Sequence, residues 1–168
     1  SPAEQHVWHD CKKESIDFKH ELEYLYEYDW LYSKTLLPLF DSTIKCYQKI
    51  LERHPDEHSE KKISVLLSLL RTFRIDGNAE KWEKQRNELI ACEPYFTQEQ
   101  RNEFKWECCL YHASQYEFNQ LKKDLDEWAV SPNMTLWALR KAGLLAEYSD
   151  TNVATVLLQS AIKNLRKR

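Results

Sequence analysis

Four groupings in the chain carry side chains of the kind that ligate metals or move protons. His54-Pro55-Asp56-Glu57-His58 sets two imidazoles four residues apart with carboxylates between them. On a helix that spacing places both rings on one face, as a two-histidine zinc site requires. Pro55 falls inside the pair at an expected helix end, where its missing amide and its ring break that face. The group reads as exposed loop histidines. His6, His9, Asp10 and Cys11 form a second cluster, with no identifiable fourth ligand. His20-Glu21 opens a metalloprotease-like string, but Tyr24 stands where the second histidine belongs. Cys108 and His112 lie four apart, so on a helix an imidazole could lower the thiol pKa. Their neighbours Cys109, Leu110 and Ala113 instead mark an apolar face with inert thiols. Carboxylates are abundant but mixed with bases, as in Glu80 with Lys84, the pattern of a solvated helix face. No catalytic residue, metal ligand or cofactor site is expected.

Composition narrows the alternatives. Two glycines in 168 residues exclude phosphate-cradling loops, dinucleotide fingerprints and nucleophile elbows, which need clustered glycines for close backbone approach. A net charge of −3 supplies no global basic field for a polyanion. Local basic residues do occur, and Arg71, Arg74, Lys81 and Lys84 form the candidate basic patch of a nucleic-acid-binding alternative. Acids such as Glu83 and Glu88 dilute it, so nucleic acid is disfavoured. Five cysteines without Cys-x-x-Cys spacing point to reduced thiols in a cytoplasmic setting. No apolar run approaches the ~20 residues that span a bilayer, and no membrane role is expected. Absence of an initiator Met and an ending within helical pattern are the marks of a piece excised from a longer protein.

The chain's surplus is aromatic: 6 Trp, 9 Tyr and 6 Phe. Most should be core, while Tyr and Trp also serve as interface anchors because they join apolar area to a polar tip. Tyr24, Tyr28 and Tyr32 share one helix face, and Trp82, Tyr111 and Tyr116 fall near expected hairpin ends. These six are the candidate partner-binding residues.

The elements that would position them are punctuated by prolines. Pro55, Pro94 and Pro132 stand 39 and 38 residues apart, a repeat-like interval. Polar clusters alternate with them: Asp41-Ser42-Thr43, Asp76-Gly77-Asn78, Ser114-Gln115 and Ser149-Asp150-Thr151-Asn152. Between these marks apolar residues recur every three or four positions, as in Ile63, Leu66, Leu67, Leu70 and Phe73, one amphipathic stripe. Val153, Val156, Leu157, Ile162 and Leu165 repeat the pattern, with Ala154 and Ala161 alongside. The spacing predicts a single domain over 1–168, with helical hairpins at about 20–53, 59–92, 97–129 and 133–167. A further helix precedes them. Period-two aromatics from Tyr24 to Tyr32 look strand-like, but no second strand exists to pair with them. Pro38 should end or kink the first long helix, Thr97 with Gln100 reads as a capping box, and Ser131-Pro132 reads as a helix start.

These Pro-punctuated hairpins resemble the tetratricopeptide-repeat class of α-solenoid. The last hairpin carries the likeness best, with Trp137 opening its first helix, then Ala142, Gly143 and Ala146, and Ala154 and Ala161 seven apart on the second. Pro55, Pro94 and Pro132 match the family's inter-repeat proline, although the interval exceeds the family's usual 34 and the middle hairpins lack the small residues. Leu136 to Arg168 also resembles helical regions of bacterial signalling and defence proteins. The resemblance implies an all-α, right-handed superhelix of about four hairpins, and a noncatalytic interaction, sensor or regulatory role. The implied partner is a peptide, a protein, or another domain of the parent chain, held in a groove lined by the hairpins' first helices. Uncapped end faces imply a possible dimer.

Overall fold

The structure is a computed structural model, and it describes residues 37–53 and 58–167, with side chains from residue 43 onward. Among the described residues every regular element is a helix, and none is a strand. The helices are α1 (Leu37–Glu52), α2 (Glu60–Asp76), α3 (Ala79–Cys92), α4 (Gln98–Ser114), α5 (Phe118–Glu127), α6 (Thr135–Tyr148) and α7 (Thr151–Arg166), with a 3-10 turn at Glu93–Tyr95. The chain divides into two compact units, Ser1–Thr97 and Gln98–Arg168.

In the first unit α1 runs through Asp41-Ser42-Thr43, where the sequence predicted a turn. Thr43, Tyr47 and Ile50 form a buried stripe at helical spacing, and that packing outweighs the weak turn preference of three polar residues. Pro38 sits in the first turn of α1, where it has no helical amide bond to lose, and the helix it was expected to end or kink lies outside the described residues. Cys46 is disulfide-bonded, which corrects the expectation of five reduced thiols. Cys92, Cys108 and Cys109 are buried thiols outside any disulfide.

Helix α2 buries more than one stripe: Val65 and Leu69 are as covered as Ile63, Leu67 and Leu70. A helix apolar on most sides belongs at the centre of its unit, and α2 packs against both α1 and α3. Its buried hydroxyls bond inside the helix, Ser68 to the Ser64 carbonyl at 3.1 Å and Thr72 to the Ser68 carbonyl at 2.7 Å. Both ends are capped, the C-terminal one at the Asp76-Gly77-Asn78 turn read from the sequence. Ser59 accepts from the Lys62 amide at 3.1 Å. Gly77 takes φ 76°, letting the Asn78 amide reach the Phe73 carbonyl at 3.0 Å in a six-to-one closure. Asn78 then caps α3 by accepting from the Lys81 amide at 3.1 Å.

The second unit is built around a cluster of Cys109, Leu121, Leu125, Trp128, Trp137, Leu144, Leu145 and Ala154. Helix α4 packs on α5 and α6, and α6 packs on α7 as an antiparallel hairpin closed by Ser149-Asp150. Asp150 caps α7, accepting from the Asn152 amide at 2.8 Å and the Val153 amide at 3.3 Å. The start of α6 comes later than predicted. Ser131 to Met134 closes a turn through a 3.0 Å bond, with Pro132 at its second position, and the helix begins at Thr135.

The two glycines make a matched test. An added Cβ meets nothing within 4 Å at either, so only backbone conformation separates them. Gly77→Ala is expected to cost about 1 kcal/mol at its left-handed φ, and Gly143→Ala within α6 to gain up to ~1 kcal/mol, read by urea denaturation.

Candidate partner-docking site

Polar side chains in the second unit are organised chiefly as clips between helices. His112 on α4 donates through Nδ1 to Asp124 on α5, and both are buried. Gln120 donates to the other Asp124 oxygen at 3.0 Å. The second imidazole nitrogen lies 3.9 Å from the exposed Glu117 carboxylate. The ring that Cys108 would need as a base is therefore oriented by other groups, and Cys108 itself is buried. Burial, followed by the charge of Asp124, pushes the adjacent Cys109 thiol up, away from a reactive thiolate. Burial opposes the charged form of Asp124. The His112 and Gln120 hydrogen bonds overcome it and hold the carboxyl below its usual range.

A second clip joins α4 to α6 and the segment before it. Trp128 donates to Asn102 at 2.9 Å, and Trp137 donates to Glu99 at 2.8 Å. The Arg140 guanidinium lies over the Trp137 ring at 4.6 Å and the Trp106 ring at 5.4 Å, two cation–π contacts on one side chain. Glu103 is half-buried beside them. Desolvation, then the Glu107 charge, raises its carboxyl to about 8 against the opposing pull of Arg140. Tuned carboxylates can mark acid–base sites, and Glu103 takes its shift from burial and a neighbouring carboxylate on the same helix.

The open feature is on the α6–α7 hairpin. Ala138, Ala142, Ala154 and Ala161 are buried, so the two helices approach closely through small side chains. Beside that seam runs a groove of about 250 Å3, lined by Leu139, Ala142, Gly143 and Ala146 of α6 and Thr151, Ala154, Thr155 and Leu158 of α7. Leu136 and Leu139 continue one wall at helical spacing, and Leu158, Ile162 and Leu165 continue the other. These five are 37–56% exposed. The sequence placed Val153, Val156, Ile162 and Leu165 in a core stripe, but all four are exposed. The alanines take the seam because they permit the closest approach. Leu157 is the member of that stripe which packs on the core cluster.

The residues singled out from sequence are scattered. Tyr24, Tyr28 and Tyr32 lie outside the described residues, as do His6, His9, Asp10, Cys11, His54, Asp56 and Glu57. Trp82 and Tyr111 are buried at 0% and 4% exposure, so their rings pack in the interior of their units. Tyr116 is 81% exposed, and its ring meets Phe118 edge-on at 6.2 Å, which stacks on Tyr148 at 5.8 Å. Arg71 and Arg74 are half-buried on α2, while Lys81 and Lys84 are exposed on α3 among Glu80 and Glu83. Lys81 lies over the Phe73 ring at 5.8 Å. His58 stacks on Tyr95 at 4.6 Å with Nδ1 3.9 Å from the Cys92 thiol, a pairing 34 residues apart that no local spacing announces. Burial raises that thiol too.

Among the described residues no three His, Cys, Asp or Glu side chains gather as a metal site. Among them, too, no helix is long and apolar enough to cross a membrane. No family model, curated protein or solved structure matches the chain.

Two expectations follow from the buried carboxyls, with opposite signs. Asp124 stabilises the fold fully above its unfolded pKa near 4 and loses that contribution as pH falls through its depressed folded value, so Asp124→Asn should flatten the acid limb of stability. Glu103 binds its proton more tightly when folded, so its contribution falls as pH rises from about 4 to about 8, and Glu103→Gln should stabilise most near and above pH 8. Urea midpoints across pH read both. A third concerns Tyr116, whose φ of 58° suits glycine in the closure that links the Glu117 amide to the His112 carbonyl at 2.9 Å. Tyr116→Gly should raise stability by roughly 1 kcal/mol in thermal unfolding.

Proposed function

We propose that the chain is a noncatalytic protein-interaction module, built as tetratricopeptide-like helical hairpins, that docks an amphipathic helix of a partner protein on its α6–α7 face. The observation that carries this reading is the open groove with exposed leucine and isoleucine on both walls. Its lining is almost wholly aliphatic, and the Thr155 hydroxyl is already bonded to the Thr151 carbonyl at 2.8 Å. An extended peptide laid there would leave its amides and carbonyls unpaired, whereas a helix satisfies its own. Three leucine-sized knobs at i, i+3 or i+4, and i+7 would fill the space between the walls. The nucleic-acid alternative has weaker support, because Lys81 and Lys84 share their surface with Glu80 and Glu83.

The reading is tested by affinity capture with the wild-type chain and a Leu139→Glu, Leu158→Glu double variant, with and without nuclease. Both positions are exposed, so helicity by circular dichroism should be unchanged. A protein retained by wild type, lost by the variant and indifferent to nuclease is the expected result. An identical retained set on both baits contradicts the docking face, and retention abolished by nuclease moves the function to nucleic acid.

A further inference from the structure

The α6–α7 face also carries a charge pattern that its apolar groove does not require. Helix α7 has no Asp or Glu, and its C-terminal end holds exposed Lys163, Arg166 and Lys167. The opposite end of the hairpin holds exposed Glu147 and Asp150. Sixteen residues of helix separate these ends by about 24 Å, well beyond the ~8–10 Å over which salt leaves exposed charges coupled. Each end therefore selects its own neighbour. A surface that is apolar along its middle, basic at one end and acidic at the other is complementary to a second copy of itself turned end for end.

We infer that the α6–α7 face pairs with the same face of a second copy of this chain, giving an antiparallel four-helix bundle with the basic end of each copy over the acidic turn of the other. The inference rests on the reading of this face as a helix-docking surface and names its occupant. Leu136, Leu139, Leu158, Ile162 and Leu165 supply the central contacts, and each is 37–56% exposed in the single chain. Two hairpins that each bury one face and leave the other apolar combine naturally as a four-helix bundle. An isologous pair requires that the patch be self-complementary, which the charge polarity meets only in the antiparallel orientation. The parallel alternative would set Lys163, Arg166 and Lys167 against their own copies. A partner helix of foreign origin would compete with the second copy for the same groove.

The test is sedimentation of the full 168-residue chain over roughly a hundredfold dilution, with three variants. Wild type is expected to pass from dimer to monomer on dilution, and Leu158→Glu to remain monomeric with unchanged helicity. The double reversal Lys163→Glu with Arg166→Glu should weaken pairing at least about tenfold, and more so at low salt. Glu147→Lys should weaken it in the same direction. Mixing the double reversal with Glu147→Lys should restore a dimer, because both ends of the mixed pair are again complementary. A variant that simply misfolded could not be rescued this way. Wild type that stays monomeric throughout overturns the inference, as does a dimer indifferent to Leu158→Glu and to the charge reversals. A monomer that still captures a protein through Leu139 and Leu158 removes the second copy alone and leaves the docking face standing.

Discussion

Helix α7 is held to its unit by a narrow seam, and that constraint governs the exposed surface of the C-terminal hairpin. Ala154 and Ala161 of α7 and Ala138 and Ala142 of α6 are buried where these two helices pack, so the side chains α7 buries are mostly small. The large residues of the unit, Trp128, Trp137, Leu144 and Leu145, gather in the core cluster. What remains for α7 is a leucine-rich face turned to solvent. Burying a Leu or Ile fully is worth about 1.5–3 kcal/mol, so covering five side chains that are roughly half exposed recovers on the order of 5 kcal/mol. Association costs at least a similar amount, ~4 kcal/mol or more, so charge at the two ends has room to decide both whether the face is covered and in which direction.

The polar interior serves the same end by fixing the platform. His112 with Asp124 ties α4 to α5, Trp137 with Glu99 ties α6 to α4, and Arg140 stacks between two indoles. Buried groups in such networks stabilise only when their partners are present, which is why removing one partner is costly. Here the thiols are pushed up by burial, and the His112 ring is turned to carboxylates.

Much of the helical layout was legible in the residues that stop helices. Asp76-Gly77-Asn78 marked a turn because glycine alone accepts a left-handed φ cheaply and asparagine caps the next helix, and both do so. Ser149-Asp150 was legible for the same reason. Asp41-Ser42-Thr43 misled, since polar residues that suit caps are tolerated within a helix whose other positions bury Tyr47 and Ile50. The exposed apolar face of α7 was visible as a pattern but assigned to the core. Periodicity reports that Val153, Val156, Ile162 and Leu165 are apolar, not which neighbour covers them, and the alanines proved to be the contact. Trp82 and Tyr111 are buried, because proximity to a hairpin end does not set exposure. The Cys92–His58 approach and the Glu99–Trp137 bond depend on tertiary packing that local spacing does not encode.

The account turns on whether the α6–α7 face is covered in solution. Hydrogen–deuterium exchange of the full chain, followed by peptide across residues 135–166 at high and low concentration, measures that cover directly. The account predicts slower exchange in α6 and α7 at high concentration, while α2 and α3 exchange at the same rate in both samples. Exchange in α6 and α7 that does not change with concentration would contradict it.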